Sequence, residues 1–249
     1  MITIKNEKEL ERMRAAGEIM KDIFDLLEKE IKPGISTKDL DRIVYEYIIA
    51  RGAKPSFLKY NGFPASICTS VEDVIIHGIP REDEILKEGQ IISVDIGVIV
   101  KGYHADAART YPIGKISAEK QRLIDITKQS FFEGIKDIKA GSYVGDISHA
   151  VQKFVEKNGY TVVREFVGHG VGRHLHEDPS VPNYGMAGSG VKLKAGMTIA
   201  IEPMVNMGKK DIIMEGAWGV RTKDGLPAAH YENTVLITEN GVEIFTFRG

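Results

Sequence analysis

Four acidic side chains stand in sequence contexts that favour a buried chemical site. Asp95 and Glu202 each end an apolar, β-branched run that predicts a strand, whereas Asp106 and Glu232 each follow a histidine by two residues and precede an apolar-rich stretch. An isolated buried carboxylate costs several kcal/mol, so it needs a cation or a hydrogen-bonding partner. Any one of these acids alone is more simply explained as a strand-end cap or a salt bridge. Their joint placement therefore decides the interpretation.

An internal repeat relates these acids in pairs. Residues 31–34 correspond to 138–141, and residues 86–89 to 193–196, both at an offset of 107. The same offset matches Asp95 to Glu202, and similar His-x-acid segments match Asp106 to Glu232. The repeat predicts one α+β domain over residues 1–249, with pseudo-two-fold halves of about 1–113 and 114–249 that each carry two helices and a sheet. Chance similarity among Lys-Gly turns and Ile/Val strands is the alternative.

The charge of four converging carboxylates points to metal chemistry. They cannot all stay ionised in one pocket without compensation, and two divalent cations supply the matching positive charge. Lys101 and Gly102 predict a hairpin turn that would bring Asp95 and Asp106 onto neighbouring strands. Oxygen-rich ligands with one or two imidazoles suit Mn²⁺, Fe²⁺, Co²⁺ or Zn²⁺, and paired ions are a known hydrolytic arrangement. Cys68 is the sole cysteine, which excludes a cysteine-based zinc site.

The seven histidines do not identify a ligand by spacing alone. His77 and His169 each lie beside glycine and look like matching positions in the two halves. On an extended segment His174 and His176 would share a face. His149 lies on a predicted helix among polar residues, so we expect a structural role for it. The same role is favoured for His104, His174 and His230.

Hydrophobic periodicity predicts the elements that must position these side chains. Apolar spacings of three and four predict helices over 7–31 and 117–138, and Ser36 or Thr37 would cap a helix between them. Pro33 and Gly34 end the first helix, and residues 51–66 are loop-rich. Strands are predicted near residue 67 and over 74–76, 91–96 and 103–111.

Composition excludes several classes of protein. The 249 residues carry 33 Lys and Arg against 35 Asp and Glu, a net charge of −2, which argues against a nucleic-acid partner. No apolar run approaches the ~20 residues of a membrane span, and the N-terminus shows no secretory signal. With one cysteine, these features predict a cytoplasmic protein that needs no disulfide or partner to build its core. We expect a monomer.

Five segments in this order carry a family resemblance: 69–80, 95–109, 168–177, 201–204 and 231–234. With them, the chain closely resembles type I methionine aminopeptidases, which are dinuclear metallopeptidases of the pita-bread fold. The resemblance runs nearly from end to end. It implies five metal ligands, which are Asp95, Asp106, His169, Glu202 and Glu232.

The resemblance also implies how substrate is held. His77 and His176 would contact the peptide without binding metal, His176 as a donor to the scissile carbonyl, and Glu202 would accept a proton from the attacking water. The methionine side chain would lie among Tyr60, Phe63, Cys68 and Trp218. Relatives often carry tyrosine at position 63 and an aromatic residue at 175, so the shape of this pocket departs from the family pattern.

The implied activity is removal of N-terminal methionine from nascent polypeptides whose second residue is small. Two divalent ions (Co, Mn, Fe(II) or Zn) would activate water, and transient ribosome association would fit such a substrate. Two alternatives stay open at this point. One is an Xaa-Pro-specific aminopeptidase of the same fold, which usually carries a further N-terminal domain; the other is a catalytically dead peptide-binding module, which would be expected to lose ligands.

Overall fold

Two helices pack against the sheet of each half in the structure, a computed structural model that describes residues 2–248. The helices are α1 (Glu7–Glu30), α2 (Thr37–Ala50), α3 (Ala118–Ile135) and α4 (Val144–Lys157). A capping box between Asn6 and Glu9 starts α1, and the Asp39 amide donates to the Ser36 hydroxyl at the start of α2. Helix α3 ends at Ile135, before the predicted end at residue 138, and beyond it the Ala140 amide donates to the Thr238 carbonyl.

Antiparallel strands, joined by loops and a 3-10 turn over Tyr60–Gly62, accompany these helices. They are β1 (Lys54–Pro55), β2 (Ile67–Val71), β3 (Val74–Ile76), β4 (Ile91–Val100), β5 (Tyr103–Pro112), β6 (Thr161–Val162), β7 (Gly168–Gly170), β8 (Glu177–Val181), β9 (Thr198–Ile201), β10 (Met204–Asn206), β11 (Ile212–Glu215), β12 (Gly219–Thr222), β13 (Ala228–His230), β14 (Asn233–Ile237) and β15 (Val242–Ile244). The larger sheets are β1-β4-β2, with β5 beside β4, and β15-β14-β9-β7-β8. Two three-stranded sheets, β13-β10-β6 and β11-β12-β3, complete the described pairings, and the mixed α+β prediction is confirmed.

The predicted hairpin is present and longer than expected. Strands β4 and β5 pair along their whole length across the turn at Lys101 and Gly102, both at positive φ. Asp95 was expected to end its strand, but it lies near the middle of β4, because the apolar run continues to Val100. Glu202 does directly follow β9, since Pro203 lacks the amide needed to continue the strand.

The 107-residue offset is preserved in the backbone. Helix α2 shifted by 107 residues gives the bounds of α4, and β1 shifted likewise gives those of β6. Lys54 pairs with Ile99 in the first half, and Thr161 pairs with Asn206, the residues 107 further on. Strand β4 therefore corresponds to β9 plus β10, so Asp95 and Glu202 occupy equivalent backbone positions.

Strands β5 and β13 obey a different offset. Gly97 pairs with Asp106, and Met204, its counterpart, pairs with His230. The backbone equivalent of Asp106 is therefore His230, which corrects the match of Asp106 to Glu232. Glu232 corresponds instead to Ala108, and these two residues exchange backbone hydrogen bonds of 3.0 and 3.3 Å across the seam between the halves.

Two threonine hydroxyls reinforce this seam symmetrically. The Thr234 hydroxyl accepts from the Asp106 amide (2.8 Å) and donates to the Asp106 carbonyl (2.9 Å). The Thr110 hydroxyl makes the same pair of bonds to His230, at 2.9 Å each. The equivalent residues Asp106 and His230 are thus both fixed through their backbones.

Apolar packing holds each half together. One buried cluster joins α1 and α2 to β4 and β5 through residues such as Leu27, Val94 and Ala107. The second joins α3 and α4 to β9 and β14 through Phe131, Val151 and others. Burial of each such Leu, Ile, Val or Phe side chain contributes about 1.5–3 kcal/mol, so the sheets that carry the acids are rigidly supported.

Within residues 2–248, no helix combines the length and the apolar character that crossing a bilayer requires.

Candidate metal centre

One cavity of about 260 Å³ brings together all the residues singled out from the sequence. Its walls are formed by Phe57, Tyr60, Asn61, Phe63, Cys68, His77, Asp95, Asp106, His169, Leu175, His176, Glu202, Trp218 and Glu232. One part of this wall is acidic and the other is aromatic and aliphatic. Phe57 and Asn61 belong to it as well, and neither carried a sequence signal that distinguishes it from its loop.

The two halves contribute acids from equivalent strands. Asp95 pairs with Ala108 in the β4–β5 hairpin, so Asp106, two residues before Ala108, projects from the same face as Asp95. Glu202 and Glu232 immediately flank the paired residues Ile201 and Asn233 of β9 and β14. The convergence of four carboxylates predicted from the repeat is therefore present in the fold.

The acid cluster has the electrostatics of a cation site. Burial raises the pKa of Asp95 to about 7, and burial together with the neighbouring carboxylates raises the pKa of Asp106, Glu202 and Glu232 well above its usual range. Asp95 Oδ1, Asp106 Oδ1 and Glu232 Oε1 are buried and accept no hydrogen bond. Unpaired buried carboxylate oxygens are costly, and divalent cations would satisfy them, so these residues fit a metal centre.

His169 has the tautomer and position of a metal ligand. Its Nδ1–H donates to the Gly170 carbonyl (2.8 Å), which leaves Nε2 unprotonated, and burial lowers its pKa to about 3. Nε2 lies 3.7 Å from Asp106 Oδ2 and 3.7 Å from Glu202 Oε1. A neutral imidazole aimed at two carboxylates can share an ion with them.

His176 stands at the mouth of the cavity as a neutral donor. The Tyr60 hydroxyl lies 2.8 Å from its Nδ1 and, as the donor, leaves the proton of the ring on Nε2. Burial lowers the pKa of His176, which keeps the ring neutral near pH 7. Its ring centroid is 4.2 Å from that of His169, and the ring lines the cavity together with the four acids.

His77 follows β3 in a left-handed backbone conformation, with φ of 60°. Its ring packs edge-on against Phe166 at 5.7 Å. The strand registers correct its match to His169: Val71 pairs with Ile92 and Gly170 pairs with Ile199, so Val71 corresponds to Gly170 and Ser70 to His169. The same offset along the chain matches His77 to His176. Two equivalent imidazoles therefore enter the cavity from the two halves, and a non-glycine residue at positive φ is typical of a functional site.

Protonation of His77 will weaken the fold in acid. Its pKa is lowered from 6.5 to about 4 by burial, so the unfolded chain takes up the proton first as the pH falls. The contribution of the neutral ring to the free energy of unfolding is fully present above pH 6.5. About 3 kcal/mol of it is lost as the pH drops from 6.5 to 4. In His77→Asn, which tolerates the same backbone, the difference in unfolding free energy between pH 7 and pH 4 should shrink by about that amount. Urea titrations at both pH values, with chelator present, measure this difference. A difference equal to that of the wild-type protein contradicts a neutral, buried His77.

Apolar side chains form the other part of the cavity. Phe57, Phe63, Cys68 and Leu175 pack in one cluster, and Trp218 meets Phe63 edge-on at 5.3 Å. Burial raises the pKa of the Cys68 thiol, so it stays uncharged and acts as part of this wall. The space fits an unbranched apolar side chain, and sulfur packs favourably against aromatic edges.

Of the four remaining histidines, three are exposed or half-buried and one lies beside the acid cluster. His104 Nδ1 lies 3.0 Å from the Ser56 hydroxyl, and His149 and His174 are exposed. His230, for which a structural role was favoured, is buried with its Nε2 facing Glu202 and Glu232. The sequence pattern His230-Tyr231-Glu232 was the only signal for a role in the site, and it does not predict which way the ring points.

Arg109 is a buried cation that supports the site and was missed in the sequence. Its guanidinium lies between the rings of Phe24 (4.5 Å) and Tyr231 (4.3 Å). It donates to the carbonyls of Ala108 (2.8 Å) and Glu232 (2.5 Å), so it fixes the backbone that carries Glu232. Charge-assisted bonds to neutral carbonyls hold this segment without neutralising the carboxylates.

Comparison with known proteins places the chain among metallopeptidases. The model of metallopeptidase family M24 matches residues 11–239. A methionine aminopeptidase of Clostridium acetobutylicum is 53% identical over 99% of this chain and 99% of its own length. The crystal structure of methionine aminopeptidase from Thermotoga maritima has a TM-score of 0.98 at 42% identity, over 100% of both chains.

A prolidase from Pyrococcus furiosus shares the fold more distantly. Its TM-score is 0.80 at 24% identity, over 99% of this chain and 66% of its own. The family model and the methionine aminopeptidase relatives confirm the resemblance and the pita-bread fold predicted from the sequence.

Proposed function

Because this chain belongs to metallopeptidase family M24, we propose that it is a methionine aminopeptidase that removes N-terminal methionine from nascent polypeptides and peptides whose second residue is small. The observation that carries the proposal is one cavity in which an acid cluster meets an apolar wall. The acids suit metal-assisted hydrolysis, and the wall suits a methionine side chain. Relatives named methionine aminopeptidase at 53% identity, against a prolidase at 24%, favour this specificity over Xaa-Pro cleavage.

Divalent metal use is a property of the family, and we propose two ions held by Asp95, Asp106, His169, Glu202 and Glu232. When bound, such ions supply an acidified water and polarise the scissile carbonyl. Co²⁺, Mn²⁺, Fe²⁺ and Zn²⁺ all suit this donor set. Glu202 accepts the proton that leaves the attacking water, because its carboxylate lies within the acid cluster.

The remaining residues position the peptide. Phe63, Cys68 and Trp218 enclose the methionine side chain, together with Tyr60 at the rim. His176 donates from Nε2 to the carbonyl oxygen as negative charge develops there, with Tyr60 fixing its tautomer. His77 hydrogen-bonds the backbone of the scissile amide or of the second residue. Preorganised neutral donors serve this purpose without reorganising during the reaction.

We propose further that the two halves, about 1–113 and 114–249, form a single catalytic domain, since the acids from both are needed in one cavity. A monomeric state, a cytoplasmic location and transient association with the ribosome stay predictions. Each fits a nascent polypeptide as the substrate.

A peptide series with metal-reconstituted protein tests the proposal. We expect Met-Ala-Ser to be hydrolysed rapidly and Met-Leu-Ser slowly, because the second residue must be small. Acetyl-Met-Ala-Ser should not be hydrolysed at all, because it lacks the free α-amine that binds at the acid cluster. Ala-Pro-Ser should resist cleavage. Release of methionine, measured by chromatography, is the readout. Preferential cleavage of Ala-Pro-Ser would assign an Xaa-Pro enzyme, binding without any cleavage would assign a peptide-binding module, and either result overturns the proposal.

A further inference from the structure

We propose that His230 is an additional protein ligand of the metal centre, and that it shares one of the two ions with Asp95 and Glu232. This inference rests on the metal centre of the proposed function and extends it to a second imidazole. It also replaces the structural role that the sequence favoured for this residue.

Among residues 2–248, Nε2 of His230 has no hydrogen-bond partner. The residue is 2% exposed. Nε2 lies 3.7 Å from Glu232 Oε2 and 4.0 Å from Glu202 Oε2, separations too long for hydrogen bonds. Two ligands of one first-row ion, each about 2.0–2.2 Å from it, lie about 3–4.2 Å apart, so an ion fits between these atoms.

His169 provides an internal standard for this geometry. Its Nε2 is 3.7 Å from both Asp106 Oδ2 and Glu202 Oε1, almost the same spacing as that around His230. Ligand atoms of Asp95, His230 and Glu232 all lie within 4.8 Å of one another, as do those of Asp106, His169 and Glu232. Each group contains one imidazole, and Glu232 belongs to both, as a carboxylate bridging two ions would.

The pseudo-two-fold axis gives an independent reason. His230 is the backbone equivalent of Asp106, a proposed ligand, because Gly97 and Met204 pair with them in register. The hydroxyls of Thr234 and Thr110 grip the backbones of Asp106 and His230 in the same way. Both halves thus direct a metal-binding side chain from the same position, an acid in one and an imidazole in the other.

A second imidazole changes which ion the site prefers. Imidazole suits Zn²⁺, Co²⁺ and Fe²⁺, whereas Mn²⁺ favours oxygen ligands. His230→Gln removes the ring but keeps an amide donor of similar reach. We therefore expect this variant to bind Co²⁺ about 10–100-fold more weakly at one site, with a smaller loss for Mn²⁺.

Proton NMR of the Co²⁺-loaded protein tests the assignment directly. The wild-type protein should show two hyperfine-shifted, exchangeable imidazole N–H signals, one of which is lost in His230→Gln and the other in His169→Gln. The matched control His104→Gln removes a half-buried imidazole that contacts Ser56, and it should retain both signals. Circular dichroism and Co²⁺ titration of each variant show that it folds and binds metal.

The outcomes separate this inference from the proposed function. A single wild-type signal that disappears in His169→Gln but persists in His230→Gln would overturn the ligand role of His230, leaving at most a hydrogen bond, and the proposed function would stand. Absence of any shifted imidazole signal in Co²⁺-titrated protein would overturn the metal centre itself. Equal loss of Co²⁺ and Mn²⁺ affinity in His230→Gln would contradict the predicted metal preference.

Discussion

Glu232→Ala will lower kcat/KM for Met-Ala-Ser by about 10³-fold or more, because its carboxylate belongs to both groups of potential ligands, Asp95–His230–Glu232 and Asp106–His169–Glu232. Loss of a shared ligand affects both ions, and metal stabilisation of the reaction is worth several kcal/mol, of which about 4 correspond to that factor. Metal content after dialysis, measured by plasma mass spectrometry, should fall in parallel. The variant should fold, since Arg109 holds this segment through backbone carbonyls.

Glu82→Ala is the matched control for this experiment. Glu82 is an exposed acid on a loop outside the cavity, so its loss should leave metal content and turnover unchanged. Metal-dependent turnover near the wild-type level in Glu232→Ala would contradict the shared-ligand assignment.

His176→Ala will lower kcat by about 10²–10³-fold while metal content stays near normal, as expected for loss of one donor to a developing oxyanion. His176 is not among the groups of potential metal ligands in the described residues, and its Nδ1 is occupied by Tyr60. Tyr60→Phe should show a smaller loss, because the imidazole remains but its tautomer is no longer fixed. Steady-state kinetics with metal analysis of each variant measures both effects.

The exposed neighbour His174 supplies the control, since His174→Ala removes an imidazole from the same segment without touching the cavity. Loss of metal from His176→Ala, or undiminished kcat, would show that the ring is not the donor.

Local signals made the helices and the hairpin predictable. Asn6 and Ser36 cap α1 and α2 as polar side chains at those positions do, and Lys101 and Gly102 adopt the positive φ that a tight turn requires. The offset of 107 placed Asp95 and Glu202 at equivalent positions, because it holds without interruption from residues 86–89 to Asp95 and from residues 193–196 to Glu202. The caps and the turn depend on short-range sequence alone, and the repeat is visible by comparing the two halves of the sequence.

Equivalence across the rest of the sheet was not predictable, because turns of different length separate the strands. The matches of His77 to His169 and of Asp106 to Glu232 followed similar residue types, whereas the strand registers make Ser70 equivalent to His169 and Asp106 equivalent to His230. Register depends on hydrogen bonds between distant segments, and a shift of a few residues leaves the composition of a strand unchanged.

The apolar wall was reached only through the family resemblance. Phe63 and Cys68 lie on a loop and a strand with no spacing that relates them, and Phe57 was not identified at all. Such contacts arise when a loop folds over a sheet, a long-range event that periodicity does not encode. Arg109 was missed for the same reason, since its two aromatic neighbours come from α1 and from the segment before β14.

Anomalous diffraction from crystals grown with Co²⁺ and methionine tests most directly whether acids from both halves hold a pair of ions beside the methionine pocket. Data collected at the cobalt absorption edge should show two peaks in the cavity, one contacted by His169 and the other by Asp95, with Glu232 touching both and the methionine side chain against Phe63 and Trp218. Cobalt peaks outside this cavity, or methionine density away from that wall, would contradict the account.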